Sequence, residues 1–246
     1  MNLDRLERIR LVRTRRIWVL VGVYVFFGVL GPVTARFLPE LLAGLGQGVP
    51  VELPPPTPID GIAQFNGNAQ QLGLLAAVFV AAAAVALDAN RGMAVFLRTR
   101  ATVPELLGPR LLWAWIGAVV GYTAGAWAAW GGTVLLLGSI PLDRFLAGLA
   151  LEALYLGFAV AMVLLASTYV RSTAAVGGIA VGVLIVLGIG SLYRPVGVWL
   201  PSALAGAIDA VVRDGISGYW RSVVVTVGTI VATWPIALRR LSTREI

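Results

Sequence analysis

The chain has 246 residues, 59% of them hydrophobic and 13% charged, with a formal net charge of +7. Soluble domains are about 45–50% apolar and roughly 25% charged, so this composition excludes an ordinary soluble fold and indicates a polytopic membrane protein. The absence of Cys and His removes disulfides, thiolate nucleophiles, the commonest general base and the usual zinc sites.

All nineteen basic residues are Arg. Together with abundant Ala, Gly and Val, this points to a high-GC bacterial genome. The pI of about 10.7 is explained by arginines next to apolar segments, where they set membrane topology and meet anionic headgroups, and not by nucleic acid.

Residues 3–16, LDRLERIRLVRTRR, read as a charged helix with Leu3, Leu6, Ile9 and Val12 at a spacing of three. Such a helix is expected to lie in the cytoplasmic interface, the alternative being a solvated basic tail. Six arginines in the first sixteen residues, followed by a long apolar run, do not suit a cleavable signal.

A span needs roughly 20 mostly apolar residues. Six segments qualify, at about 17–38, 64–87, 111–137, 145–169, 174–192 and 221–238. The Pro-rich run within 39–63 carries Pro50, Pro54, Pro55, Pro56 and Pro58 and is expected to be an extended external loop. Residues 88–110 form a basic loop, and 138–144 and 170–173 are tight turns. Residues 193–220 are apolar but interrupted by Pro195, Pro201, Gly206 and Gly215, which predicts a re-entrant or interfacial hairpin on the outer face.

With both termini inside, the inner segments carry fourteen arginines and the outer ones five: Arg36, Arg144, Arg194, Arg213 and Arg221. That asymmetry is the positive-inside pattern. The expected fold is therefore an all-α membrane protein, residues 1–246 forming one transmembrane domain with N and C termini cytoplasmic. No excursion between spans is long enough to fold alone.

Candidate chemistry is sparse. No HExxH motif, Ser–His or Ser–Lys dyad or P-loop is present, so no catalytic, cofactor or metal site is expected on this chain. Glu152 is the single acid well inside a span. It reads either as a substrate-pathway or proton-relay group, or as a structural partner of an outer arginine such as Arg36 or Arg194. Gly117, Gly121 and Gly125, and again Gly178 and Gly182, follow the small-xxx-small spacing that lets helix backbones approach. They suit either a subunit or repeat interface or packing within one bundle. Most of the eight tryptophans fall near predicted span ends, as an aromatic belt.

The basic N-terminal helix, six spans, the basic loop after span two and the broken apolar segment before span six together resemble the membrane subunit of an ABC-2 type ABC transporter. Asp88, Arg91-Gly92, Phe96-Leu97 and Leu106-Leu107-Gly108 stand where that family has an acid, a Gly-containing stretch, a Leu-rich piece and a small-to-basic region. Asp88 replaces the more usual Glu, and Met93 stands where a Thr often follows the Gly. The run from Gly31 to Glu40 is also similar to bacterial members.

The resemblance implies a permease in the bacterial inner membrane that forms half of a translocation path for a lipophilic or amphipathic substrate. Its partners would be a cytoplasmic ATPase, which holds ATP and Mg, and a second permease chain, identical or paralogous. Coupling would run through Asp88, Arg91, Gly92, Met93, Phe96, Leu97, Arg98 and Arg100, an apolar face bordered by arginines that suits helix-in-groove docking. The alternatives are arginines serving topology alone, an ion-coupled secondary transporter using Glu152, and a membrane scaffold without transport.

Overall fold

The computed structural model describes residues 3–45, 55–85 and 102–242, and every regular element among them is helical. Among the described residues, six helices are long and apolar enough to cross a membrane. Helix α1 (Leu3–Arg13) is short and charged. Arg15, at φ 57° in the left-handed region, turns the chain into α2 (Arg16–Leu45), so the expected 3–16 helix is broken before its end. Leu6, Ile9 and Val12 stay exposed on α1. The residue that packs inward is Leu11, which the spacing-of-three pattern omits.

Span two starts earlier than its hydropathy suggests. Helix α3 (Pro58–Asn68) takes up the end of the stretch expected to be an extended loop. Pro58 stands in the first turn, where a missing N–H costs nothing, and the Asp60 carboxylate accepts the Thr57 N–H at 2.7 Å. A single π-helical turn, Ala69–Gly73, joins α3 to α4 (Leu74–Val85), and together they form one 28-residue crossing.

Span three, α5 (Val103–Leu136), also begins early. Glu105 accepts the Thr102 N–H at 2.8 Å, and Pro104 sits in the first turn. Residues 103–110, which read as loop, are thus helix, Arg110 among them. Asp88, Arg91, Gly92, Met93, Phe96, Leu97, Arg98 and Arg100 lie outside the described residues.

Helix α6 (Leu142–Ser167) and helix α7 (Thr173–Gly190) follow the expected turns. Ser172 caps α7 by accepting the Ala175 N–H at 3.1 Å. Between spans five and six the chain forms a broken helical segment: α8 (Arg194–Gly197), a 3-10 turn (Pro201–Leu204) and α9 (Ala207–Asp214). Helix α10 (Trp220–Ser242) completes the bundle.

Helix α6 is the hub. Of its most apolar stretch 67% is buried, against 22% for α7 and α10, which leave most of their surface to lipid or to another chain. Burial supplies little drive between helices in lipid, so close backbone approach must hold the bundle. At Gly125 a Cβ would lie 2.4 Å from the Tyr24 carbonyl oxygen. At Gly121 it would lie 3.1 Å from Leu20, and at Gly117 3.3 Å from Leu11. The first glycine series therefore seats α1 and α2 on α5 within one chain. Gly178 and Gly182 meet nothing within 4 Å.

Candidate functional site

Two polar assemblies stand out in an otherwise apolar bundle. The first gathers the ends of the basic loop. Arg110, one full turn or more into α5, donates from Nε to Glu7 Oε1 of α1 at 3.0 Å and from Nη1 to the Ala84 carbonyl of α4 at 3.4 Å. Only 12% of the Arg110 side chain and 15% of the Glu7 side chain remain exposed, so the pair is largely shielded from water. Arg10 adds a second cation 3.4 Å from Glu7. One turn beyond Arg110, Trp113 Nε1 donates to Asp4 Oδ1 at 2.7 Å. Arg110 thus ties the last turn of span two, the start of span three and the N-terminal helix into one unit.

The second assembly surrounds Glu152, which is fully buried. Its Oε2 accepts from Gln70 Nε2 at 2.7 Å and its Oε1 accepts from the Gly206 N–H at 2.5 Å. Neither Arg36 nor Arg194 is its partner. Arg36 pairs along its own helix with Glu40 at 3.3 Å. The partners Glu152 does have follow from local backbone geometry. The π turn contains Gln70, and Gly206 adopts φ 86°, a left-handed conformation open to glycine, just before α9. The carboxylate therefore meets the first N–H groups of α9, at the positive end of its dipole.

Arg144, Gly148 and Glu152 recur every four residues and so share one face of α6. All three meet the broken segment. Arg144 Nη1 donates to the Val212 carbonyl at 3.2 Å, and a Cβ at Gly148 would lie 2.5 Å from Ile208 Cα. From the other side Asn66 Nδ2 donates to Asp209 Oδ1 at 2.8 Å, and Tyr122 donates to Asn66 Oδ1 at 3.2 Å. Burial raises the Asp209 carboxyl above the ordinary aspartate value, opposed by the Asn66 hydrogen bond and by Arg213. The residue before α9 and its first turn are thus held by spans two and four together.

The sequence singles out Glu152 and marks Gly206 only as a break in the apolar segment, while Asn66, Gln70, Asp209 and Glu7 go unmarked. Asn66 and Gln70 carried a readable signal: two amides four residues apart in an apolar span share a face and need polar company there. No group of three or more acidic residues that could hold a metal occurs among the described residues.

No family model matches the chain, and no solved structure matches it. The chain is similar to the uncharacterized transmembrane protein YxlG of Bacillus subtilis (strain 168), with 24% identity over 208 residues, covering 81% of this chain and 79% of that protein. The six apolar helices and this similarity make the chain a multi-pass membrane protein.

Proposed function

We propose that this chain is the permease subunit of an ATP-driven exporter of the ABC-2 type, in the bacterial inner membrane, with both termini cytoplasmic and the broken segment 193–219 facing outward. The observation that carries the reading is the Arg110 clamp. A loop that receives force from a partner must pass it to more than one helix. Residues 86–101 leave α4 and enter α5 at two points that Arg110 joins to each other and to α1. A push on that loop moves spans two and three and the N-terminal helix as one body.

The arginine asymmetry supports the orientation, and the absence of a P-loop from the sequence supports a separate ATPase holding ATP and Mg. Docking falls to Asp88, Arg91, Gly92, Met93, Phe96 and Leu97, with Arg98 and Arg100 leading back to span three. The substrate is a lipophilic or amphipathic molecule, and a second permease chain completes the path. In this reading Glu152 anchors the outer segment: both its oxygens already accept donors from Gln70 and Gly206, which suits a fixed joint better than an ion-carrying group.

The test is co-purification with a Walker-type ATPase, followed by replacement of Arg91 and Phe96 by Ala in the assembled complex. Loss of substrate-stimulated ATP hydrolysis and of transport is expected. Unchanged activity in a well-assembled double variant overturns the coupling assignment, and gradient-driven flux by the purified chain alone in liposomes overturns the ATP-driven reading.

A further inference from the structure

Beside the Glu152 assembly a cavity of about 520 Å³ lies between the π turn of span two, span four and span five, with the 3-10 turn before α9 closing one end. That volume is within the roughly 300–1,000 Å³ of small-molecule sites. Its lining is graded along its length. Ser191 and Ser202 stand at the end near α9, where Gln70 also reaches through Glu152 to Gly206. Val181 lies ten residues before Ser191 in chain order, about 15 Å away at the helical rise. Leu74 and Leu184 continue the apolar wall, and Ile185, 56% exposed, stands at the mouth. The cavity therefore opens sideways, toward the surface a bilayer covers.

The polar end has a definite hydrogen-bonding character. Ser191 spends its one proton on the Gly188 carbonyl at 2.6 Å, and Ser202 spends its own on the Leu187 carbonyl at 2.8 Å. The Gln70 amide donates to Glu152, and its Oε1 accepts no hydrogen bond from the described residues. Each group is left offering an acceptor. No charged side chain is among the described residues lining the cavity. A phosphate or carboxylate would meet no cation here and three lone pairs at this end, whereas each hydroxyl proton of a neutral head would find an acceptor. The π turn adds an independent sign. It places Gln70 and Gln71 inside an apolar crossing, where amides are costly and tend to serve a site, and π turns themselves occur often at functional positions.

We propose that this cavity binds a neutral, hydroxyl-headed amphiphile of the monoacylglycerol type. The two head hydroxyls donate to the acceptors offered by Gln70 Oε1, Ser191 Oγ and Ser202 Oγ, two of the three at a time, and the chain runs along Leu184 and leaves past Ile185. The proposal does not depend on which transport machine the chain serves.

The full chain, purified in detergent, is titrated with monoolein and followed by native mass spectrometry. One saturable adduct per chain is expected, with oleate and lysophosphatidate binding at least tenfold more weakly. Combined Ser191→Ala and Ser202→Ala substitution removes two acceptors and weakens monoolein about tenfold or more. Leu184→Trp fills the cavity and abolishes the adduct; should that variant fail to fold, Ile185→Trp, at an exposed position, blocks the mouth instead. Non-saturating adducts, equal affinity for the three amphiphiles, or an adduct that survives both tryptophan variants overturns the proposal. Solvent extraction distinguishes the sources: neutral glycerolipid released at about one per chain identifies a resident lipid, and a chain that takes up only added monoolein identifies a transient ligand.

Discussion

Arg110 and Glu7 are 103 residues apart in the chain and 3.0 Å apart in space. The same guanidinium reaches the Ala84 carbonyl, so one side chain joins the end of α4 to the start of α5. The geometry uses the guanidinium fork, with Nε serving the carboxylate and Nη1 the carbonyl, and a lysine has no equivalent of it.

Removing the fork should be costly because the carboxylate stays behind, largely buried. Arg110→Ala is expected to destabilise the protein by about 2–4 kcal/mol, and Arg110→Lys to recover less than half of that. In a double-mutant cycle with Glu7→Gln, measured by equilibrium unfolding in mixed micelles, the pair should show a coupling of about 1–2 kcal/mol. Strict additivity of the two substitutions would remove the basis for treating α1 and the loop ends as one unit.

Glu152 makes a different prediction, because both of its oxygens accept. Glu152→Gln turns one acceptor into a donor facing either the Gly206 N–H or Gln70 Nε2, at a cost of about 1–3 kcal/mol. Glu152→Leu leaves both donors unpaired and should cost more. Adding Gln70→Leu to Glu152→Leu should return part of the loss, since an apolar pair in place of a polar one leaves only backbone N–H groups at the start of α9 unpaired. Thermal unfolding of the four proteins checks the order. A double variant no more stable than Glu152→Leu alone contradicts the anchoring role.

The two glycine series separate cleanly. Gly125→Ala drives a methyl into the Tyr24 backbone, which cannot rotate away, and should cost about 1–3 kcal/mol or more. Gly178→Ala and Gly182→Ala enter open space and remove helix-interior glycines, so within one chain they should be neutral or stabilising by about 0.5–1 kcal/mol. Their effect is read in monomeric protein by unfolding and then by size analysis of the assembled form. A loss of stability confined to the assembled form would place Gly178 and Gly182 at a contact between chains.

The crossings themselves were legible, because about 20 apolar residues need no tertiary context to declare a span. Their starts were not. Thr57-Pro58-Ile59-Asp60 reads as the tail of a proline loop until the Asp60 carboxylate is seen to close on the Thr57 N–H, and Thr102 to Glu105 hides the start of α5 in the same way. Glu152 was visible as an anomaly but its partners were not. Gln70 is 82 residues away and enters through a π turn, and Gly206 contributes a backbone N–H that has no side-chain signature. The Arg110 clamp is hidden because hydropathy places the residue in the loop. Once it belongs to the helix, its neighbours on the first turns become α1 and Ala84.

Asp209 provides the pH test of the hold on the broken segment. Burial raises its carboxyl above the ordinary aspartate value, with the Asn66 amide and Arg213 opposing, while Glu152, Tyr122 and Tyr219 are the other titratable groups that sense it. A carboxyl raised in the folded state contributes stability that is fully present below the unfolded value and is lost as pH rises through the folded one. The wild-type protein should therefore lose stability from this group as pH rises from the ordinary aspartate value through the raised one, and level off above it. Asp209→Asn keeps an oxygen to accept from Asn66 and has nothing to titrate. Subtracting its stability-versus-pH curve from that of the wild type cancels the groups both proteins share. The difference should shift in favour of the variant across that window. A difference that is flat from acid to neutral pH means that Asp209 ionises as freely in the bundle as in water, and that the Asn66 contact holds α9 without any cost of burying a charge.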